Sequence, residues 1–189
     1  FTSVSISDVL AGLTERFQKA SPRLYCWGEH RAVQPDALLP LSEAMDQHTS
    51  SANFYPLLQR FLRPNDLLVS DTGTCLLKLN SIRLPGGVSM ESQTLWSSIG
   101  WGTPSALGCA LAEPECRVVL VTGDGAHQLT MQEIGVMGVT GVSPVVIVLN
   151  NGLYGVEALI SETGHAYNDL PPWRYAEIPA TLGCKGWWC

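Results

Sequence analysis

The sequence has no long apolar run, no basic cluster and no paired-cysteine motif. No stretch approaches the ~20 apolar residues that a membrane-spanning helix needs. The N-terminus, which begins at Phe1 rather than Met, has no signal-peptide layout, and the chain is expected to start inside a longer one. Lys and Arg number 11 against 17 Asp and Glu, giving a net charge of −6 and a pI near 5.1. Scattered cations on an acidic chain do not make a nucleic-acid face, so neither nucleic acid nor membrane is an expected partner. The six cysteines (Cys26, Cys75, Cys109, Cys116, Cys184, Cys189) show no C-x-x-C or metal-finger spacing. Cys75 and Cys109 fall in expected helices among apolar neighbours, which suits free thiols in a cytoplasmic protein better than a disulfide scaffold. The phosphate-binding patterns G-x-x-x-x-G-K-[ST] and strand–G-x-G-x-x-G are also missing, which removes support for ordinary ATP or dinucleotide binding.

What is present centres on residues 117–157, RVVLVTGDGAHQLTMQEIGVMGVTGVSPVVIVLNNGLYGVE. Arg117 to Thr122 and Pro144 to Leu149 are β-branched apolar runs without alternation, as in central strands of a parallel sheet covered on both faces. Between them Gln128 to Gly138 carries Leu129, Ile134 and Met137 at helical spacing, so the unit reads as a βαβ crossover. Asp124 follows the first strand; Asn150 and Asn151 follow the second. In open α/β sheets ligands bind beyond the carboxyl ends of the strands, so two oxygen-bearing side chains, 27 positions apart, reach one rim. A carboxylate and a carboxamide are hard ligands that suit Mg2+ or Ca2+, and Mg2+ takes its remaining ligands from phosphate and water. Gly123 and Gly125 allow close backbone approach, and a helix starting at about Ala126 to Gln128 points N–H groups at the same spot. A metal-bound diphosphate held by Asp124, Gly125, Ala126 and Asn151 is the expected ligand.

The wording GDGAHQLTMQE…VVIVLNNGLYGVEALI…YNDLPPW resembles the thiamine diphosphate signature of the pyruvate decarboxylase family, especially its indolepyruvate and branched-chain 2-keto acid decarboxylases. The resemblance is close from Asp66 to Trp173 and fair from Ser51 onward. It implies Mg2+ on Asp124, Asn151 and the carbonyl of Leu153, although relatives tend to carry glycine where Leu153 stands. It implies that Thr74 contacts the diphosphate, its hydroxyl being equally suited to cap the next helix. The Ser97 carbonyl and the Ile99 backbone would hold the aminopyrimidine, with the Ile99 side chain wedged between the two cofactor rings. Relatives usually have glycine at Ser97. Glu157 becomes the catalytic acid beside the reacting carbon, its pKa expected to be raised by burial among Val156 and Ile160. Tyr167-Asn168-Asp169 with Pro171, Pro172 and Trp173 matches a lid, while His127 is expected to touch diphosphate or line a neighbouring chain without catalysing.

The remaining chain sets the domain expectations. Residues 1–50 read as a linker or wrapping segment from a preceding middle domain: a helix near Asp8 with Val9, Leu10, Leu13 and Phe17 on one stripe, then Pro22, Pro35 and Pro40 as breakers. His30 and His48 there suit solvated or packing roles. Residues 51–189 read as the thiamine diphosphate-binding domain, a three-layer doubly wound parallel sheet. Its first helix is Ser51 to Leu62 with Tyr55, Leu58 and Leu62 inward. A buried strand Leu67 to Ser70 follows, ending in Asp71-Thr72-Gly73-Thr74, and Leu84 to Val88 makes a turn. Small residues Gly102, Ala106, Gly108, Ala110 and Ala112 suit a helix packed tightly on the sheet. Ile178 starts a helix and Gly186 to Cys189 a strand, after which the domain is expected to be incomplete. The resemblance further implies a separate pyrimidine-binding domain, from the same or a second subunit of a homodimer or homotetramer, so the isolated chain is expected to be inactive. The implied function is decarboxylation of a small-molecule 2-keto acid to an aldehyde and carbon dioxide with thiamine diphosphate and Mg2+. The alternatives are a carboligase or lyase of the acetohydroxyacid synthase type, against which Glu157 and the lid argue, and a non-catalytic cofactor-binding or assembly fragment.

Overall fold

The structure is a computed structural model that describes residues 49–161 and 164–189. The expected helix near Asp8, His30, His48 and nearly all of the 1–50 linker lie outside them.

Two short runs, LLVS and VVLVTG, form β1 (Leu67–Ser70) and β3 (Val118–Gly123), side by side in the centre of a four-stranded sheet. Their residues alternate between two covered faces. Leu68, Val119 and Val121 pack with Tyr55 and Leu58 of α1 (Ser51–Phe61), the adjoining Leu62, and Cys75 and Leu79 of α2 (Thr74–Leu79). On the opposite face Leu67, Val69, Val118 and Leu120 pack with Ala106, Leu107 and Ala110 of α3 (Gly102–Ala112). Met137 of α5 (Glu133–Thr140), the second helix after β3, joins them. Each fully buried Leu or Val contributes about 1.5–3 kcal/mol relative to exposure. Helices therefore cover both faces of a parallel sheet, the three-layer doubly wound arrangement expected.

The strand order is β2-β1-β3-β4, with β2 (Ser89–Ser92) beside β1 and β4 (Val145–Leu149) beside β3, all parallel. The chain leaves β1 toward one edge and returns past it to β3, so the winding reverses between β1 and β3. That reversal opens a crevice at the carboxyl ends of these strands. On α3, Gly102, Ala106 and Ala110 face the sheet, spaced by four residues, whereas Gly108 and Ala112 face outward. A Cβ at Gly102 would lie 2.8 Å from Asp71 Oδ2 and 2.9 Å from Leu120 Cδ1, so only glycine allows this approach.

Several expectations need correcting. β4 is an edge strand among the described residues and half-buried along its length, because no described strand pairs with its outer side. Gly186 to Cys189 is not a strand. Gly186 lies instead against the backbone of Ala176, where a Cβ would come within 2.1 Å of the carbonyl oxygen. β2 was not anticipated: SMES has no apolar alternation, since this edge strand buries little. The single helix expected from Gln128 to Gly138 is two, α4 (Asp124–Thr130) and α5, and it starts at Asp124. At Met131-Gln132 the backbone tightens into i→i−3 bonds, Ile134 N–H to the Met131 carbonyl at 3.0 Å and Gly135 N–H to that of Gln132 at 2.9 Å. The break re-aims the buried stripe. α4 buries Asp124 to His127 and leaves Leu129 half exposed, while α5 buries Ile134 and Met137.

Candidate functional site

Gly123 pairs with Leu149 in the β3–β4 register, so Asp124 and Asn151 leave adjacent strands at the same level. Asp124 is 2 % exposed. Its Oδ2 accepts from Gly152 N–H at 2.8 Å and its Oδ1 from Gly125 N–H at 3.0 Å. Burial raises its pKa, a shift opposed by these N–H bonds. One terminal atom of the Asn151 carboxamide lies 2.9 Å from the Leu153 carbonyl oxygen and 3.1 Å from Asp124 Oδ1. With the carboxamide nitrogen there, its protons satisfy both oxygens; with the oxygen there, three oxygens converge without a proton between them. Mg2+ ligands at about 2.0–2.1 Å in octahedral geometry sit ~3 Å apart along an edge, so the spacing and the hard donor set fit that ion. Asp124, Asn151 and Leu153 are thus brought together.

The loop carrying Leu153 is clamped by the YND segment. Tyr154 N–H donates to the Asn168 carbonyl and Leu170 N–H to the Gly152 carbonyl, each at 2.8 Å, and Leu153 bridges Asp169 in antiparallel fashion. Beyond the clamp, α6 (Gly155–Ile160) carries Glu157, and a short 3-10 helix spans Ala166–Asn168. Gln128 fastens the following residues, donating to the Tyr175 hydroxyl at 2.6 Å. Gly125 lies under the ring of Tyr154, where a Cβ would be 2.4 Å from Cε1. Its N–H already serves Asp124, so a diphosphate contact by that N–H requires that bond to open. Ala126 is buried on the same helix.

Thr74 is half-buried at the first turn of α2 and makes no capping bond; the cap position is Gly73, at φ 144°. A Cβ at Gly155 would meet Thr74 Oγ1 at 3.6 Å and Asn151 Nδ2 at 3.3 Å, so Thr74 and Asn151 flank the same glycine. Asp71, which follows β1 as Asp124 follows β3, is named in the sequence only as part of the turn that ends the strand, with no role of its own. It is wholly buried, and burial raises its pKa. It accepts from Thr72 N–H at 2.9 Å, Gly102 N–H at 3.0 Å and Thr122 Oγ1 at 3.2 Å. The signal that could have found it was already in use: an acid at the carboxyl end of an apolar strand.

Away from Asp124 the residues are open. Ser97 is exposed at φ 53°, a left-handed backbone that favours glycine. Ile99 is 39 % exposed. Glu157 is exposed on α6 beside Leu159 and Ile160, 77 % and 73 % exposed. The burial expected for Glu157 is therefore not met by this chain, because no described segment covers that side of α6. His127 faces inward, 3 % exposed, with Nδ1 3.1 Å from Thr103 Oγ1. Burial pushes its pKa down to about 4, so the imidazole is neutral at pH 7. α7 (Ile178–Thr181) buries none of its residues, while Leu182 just after it lies beside α5, 3.5 Å from where a Cβ at Gly135 would stand.

The chain is similar to known proteins in sequence and in fold. The family model for the C-terminal TPP binding domain of thiamine pyrophosphate enzymes matches residues 71–189. An alpha-keto-acid decarboxylase of Mycobacterium ulcerans (strain Agy99) is 40% identical over 152 residues, covering 80% of this chain and 27% of the relative. One of Mycobacterium avium (strain 104) is 45% identical over 122 residues, 65% of this chain and 22% of the relative. The chain thus spans about a quarter of the length of the curated relatives it matches. The X-ray structure of a protein from Mycobacterium smegmatis, described as a thiamin diphosphate-dependent enzyme, superimposes with a TM-score of 0.59 at 25% identity. That match covers 72% of this chain and 26% of the other.

Proposed function

Because this chain belongs to the thiamine pyrophosphate enzymes and carries their C-terminal cofactor-binding domain, we propose that it is the diphosphate-binding part of a 2-keto acid decarboxylase. The whole enzyme would split R–CO–COOH into an aldehyde and carbon dioxide. The observation that carries this reading is the convergence of the Asn151 carboxamide on Asp124 Oδ1 and the Leu153 carbonyl, at 3.1 and 2.9 Å. The names of the relatives, alpha-keto-acid decarboxylases at 40–45% identity, support the substrate class. Thiamine diphosphate, when bound, supplies the electron sink that lets the carboxylate carbon depart.

The chain's own residues do the rest. Asp124, Asn151 and the Leu153 carbonyl would hold Mg2+, and through it the diphosphate, with Thr74 offering a hydroxyl to a phosphate oxygen. Ser97 and Ile99 would hold the aminopyrimidine end. Glu157 is the group that keeps a proton beside the substrate and delivers it to the carbon that has lost carbon dioxide. For that it needs a cover that dries its side of α6. The 167–173 segment would exclude water from the same space. The exposed apolar residues beside Ser97 and Glu157 support a partner surface, which we read as the pyrimidine-binding domain of the same or a second subunit in a homodimer or homotetramer. Free thiols at Cys75, Cys109, Cys116, Cys184 and Cys189 suit a reducing, cytoplasmic setting.

The test is incubation of the full-length protein with a panel of 2-keto acids, thiamine diphosphate and Mg2+, with products separated. Aldehyde release that disappears on removing either factor is the expected result. Acyloin formation alone would move the enzyme to carboligation, and no product from any keto acid would leave a cofactor-binding module.

A further inference from the structure

In the loop from Trp96 to Trp101, residues 96–99 are exposed, yet both ends of the loop are tied to one buried carboxylate. At the trailing end Gly102 N–H donates to Asp71 Oδ2 at 3.0 Å. At the leading end the connection runs through two side chains. Asp71 Oδ1 accepts Thr72 N–H at 2.9 Å, and Thr72 Oγ1 donates to the Gln93 carbonyl at 3.0 Å. Gln93 Oε1 then accepts two successive backbone N–H groups, Trp96 at 2.9 Å and Ser97 at 3.1 Å. Further along, Thr130 Oγ1 donates to the Gly100 carbonyl at 2.8 Å, and a Cβ at Gly100 (φ 81°) would lie 2.9 Å from Leu129 Cβ.

Apolar packing holds the trailing end, where Trp101 meets the core, but not the leading end, where Leu95 and Trp96 are 84 % and 79 % exposed. Hydrogen bonds hold the leading end. The two donated to Gln93 Oε1 hold the Ser97 backbone at φ 53°, a conformation that costs about 1–2 kcal/mol for a non-glycine residue and would otherwise relax. Ordering a free residue costs about 1–2 kcal/mol, so a loop already fixed binds its ligand more tightly than one that must first be ordered.

We propose that Gln93 is a positioning residue for the aminopyrimidine end of the cofactor. Its carboxamide oxygen holds the turn that presents Ser97 and Ile99, and Asp71 and Thr72 anchor it. The inference rests on the functional reading above. It adds that the two ends of the cofactor are held by separate devices, the Gln93 chain at one end and the Asp124–Asn151–Leu153 oxygens at the other. A ligand with only the diphosphate should therefore be indifferent to Gln93.

The experiment is calorimetric titration of the full-length protein with thiamine diphosphate and, separately, with inorganic diphosphate, both with Mg2+. Wild type is compared with Gln93→Met, which removes the acceptor, and Gln93→Glu, which keeps one. Two lost hydrogen bonds predict a roughly tenfold or greater loss of thiamine diphosphate affinity in Gln93→Met. Inorganic diphosphate should stay within about twofold, and Gln93→Glu should return to near wild type. Unchanged thiamine diphosphate affinity in Gln93→Met, equal losses for both ligands, or no recovery in Gln93→Glu would each overturn the role. Wild type that binds inorganic diphosphate but not thiamine diphosphate would sink the functional reading, and this role with it.

Discussion

The two sides of the crevice are finished to different degrees. At the Asp124 corner that carboxylate is 2 % exposed, its oxygens accept N–H groups from Gly125 and Gly152, and the loop bearing Leu153 is clamped by residues 168–170. At the flanking positions Ser97 and Glu157 are exposed, among apolar neighbours that meet solvent: Trp96 on one side, Leu159 and Ile160 on the other. The difference follows from the chemistry required. Chelating a hard cation needs a few oxygens fixed by short-range backbone geometry, which one βαβ unit supplies. A dry pocket that keeps a carboxylic acid protonated needs apolar cover on every side. A single sheet edge provides only part of such cover.

The sharpest way to break this comparison is at the closed corner. Asp124→Ala removes one of the two oxygens on which the Asn151 carboxamide converges and leaves the Gly152 N–H without its acceptor. Mg2+-dependent binding of thiamine diphosphate by the full-length protein should be lost, read by calorimetry as at least a ~100-fold weakening, on the order of 3 kcal/mol. Retained affinity would show that the corner is not where the ion sits. The open side should behave in the opposite way. Glu157→Gln should lower turnover by about 10²–10⁴-fold, the usual range for a positioned proton donor, while cofactor affinity changes little. A Glu157→Gln enzyme with undiminished aldehyde release would take the acid role from Glu157.

The closed side was also the more legible in sequence. VVLVTGDG and VVIVLNN are apolar runs that stop at polar residues, so the strands, the rim and the convergence of Asp124 with Asn151 followed from spacing alone. The inward set Tyr55, Leu58 and Leu62 came from helical periodicity, and all three are buried. What escaped lacked such a signal or depended on long-range context. β2, reading SMES, is polar because its position at the edge asks for little burial. β4 reads as central because VVIVL is uniformly apolar, yet nothing described pairs with its outer side. The break at Met131-Gln132 is invisible because both residues are good helix formers, and the buried side chains on either side of it decide the re-aiming. Glu157 was expected to be buried from its neighbours in sequence, but burial is a property of what covers a helix. Asp71 is legible as the end of its strand but receives no role, although it obeys the same rule as Asp124.

A smaller effect probes strain on the open side. Ser97 occupies a left-handed conformation, which glycine adopts without the steric cost. Ser97→Gly should leave the Gln93 hydrogen bonds in place and remove that strain, offset in part by the greater freedom of glycine in the unfolded chain. The net gain should be roughly 0.5–1 kcal/mol, seen as a rise in Tm of about 1–4 °C. A fall in Tm would mean that the serine side chain, through its Thr94 carbonyl contact at 3.4 Å, contributes more than the backbone strain costs.

The smallest effect at neutral pH belongs to His127, on the closed side three residues after Asp124. With Nδ1 against Thr103 Oγ1 and the Tyr175 ring 6.2 Å away, it has no anionic partner among its described contacts. Burial holds its pKa at about 4, below the ordinary value of 6.5. A base depressed in the folded state leaves stability intact above the unfolded pKa and loses it as pH falls from 6.5 toward 4, because the unfolded chain takes up the proton first. The loss at the acid end is on the order of 3 kcal/mol. His127→Gln removes that proton uptake. Its unfolding free energy should therefore fall less steeply than wild type between pH 6.5 and 4, with thiamine diphosphate affinity at pH 7 unaffected by any change of charge. Identical slopes in the two proteins, or a wild-type imidazole titrating near 6.5, would mean that His127 meets solvent and that this side of the crevice is as open as the other.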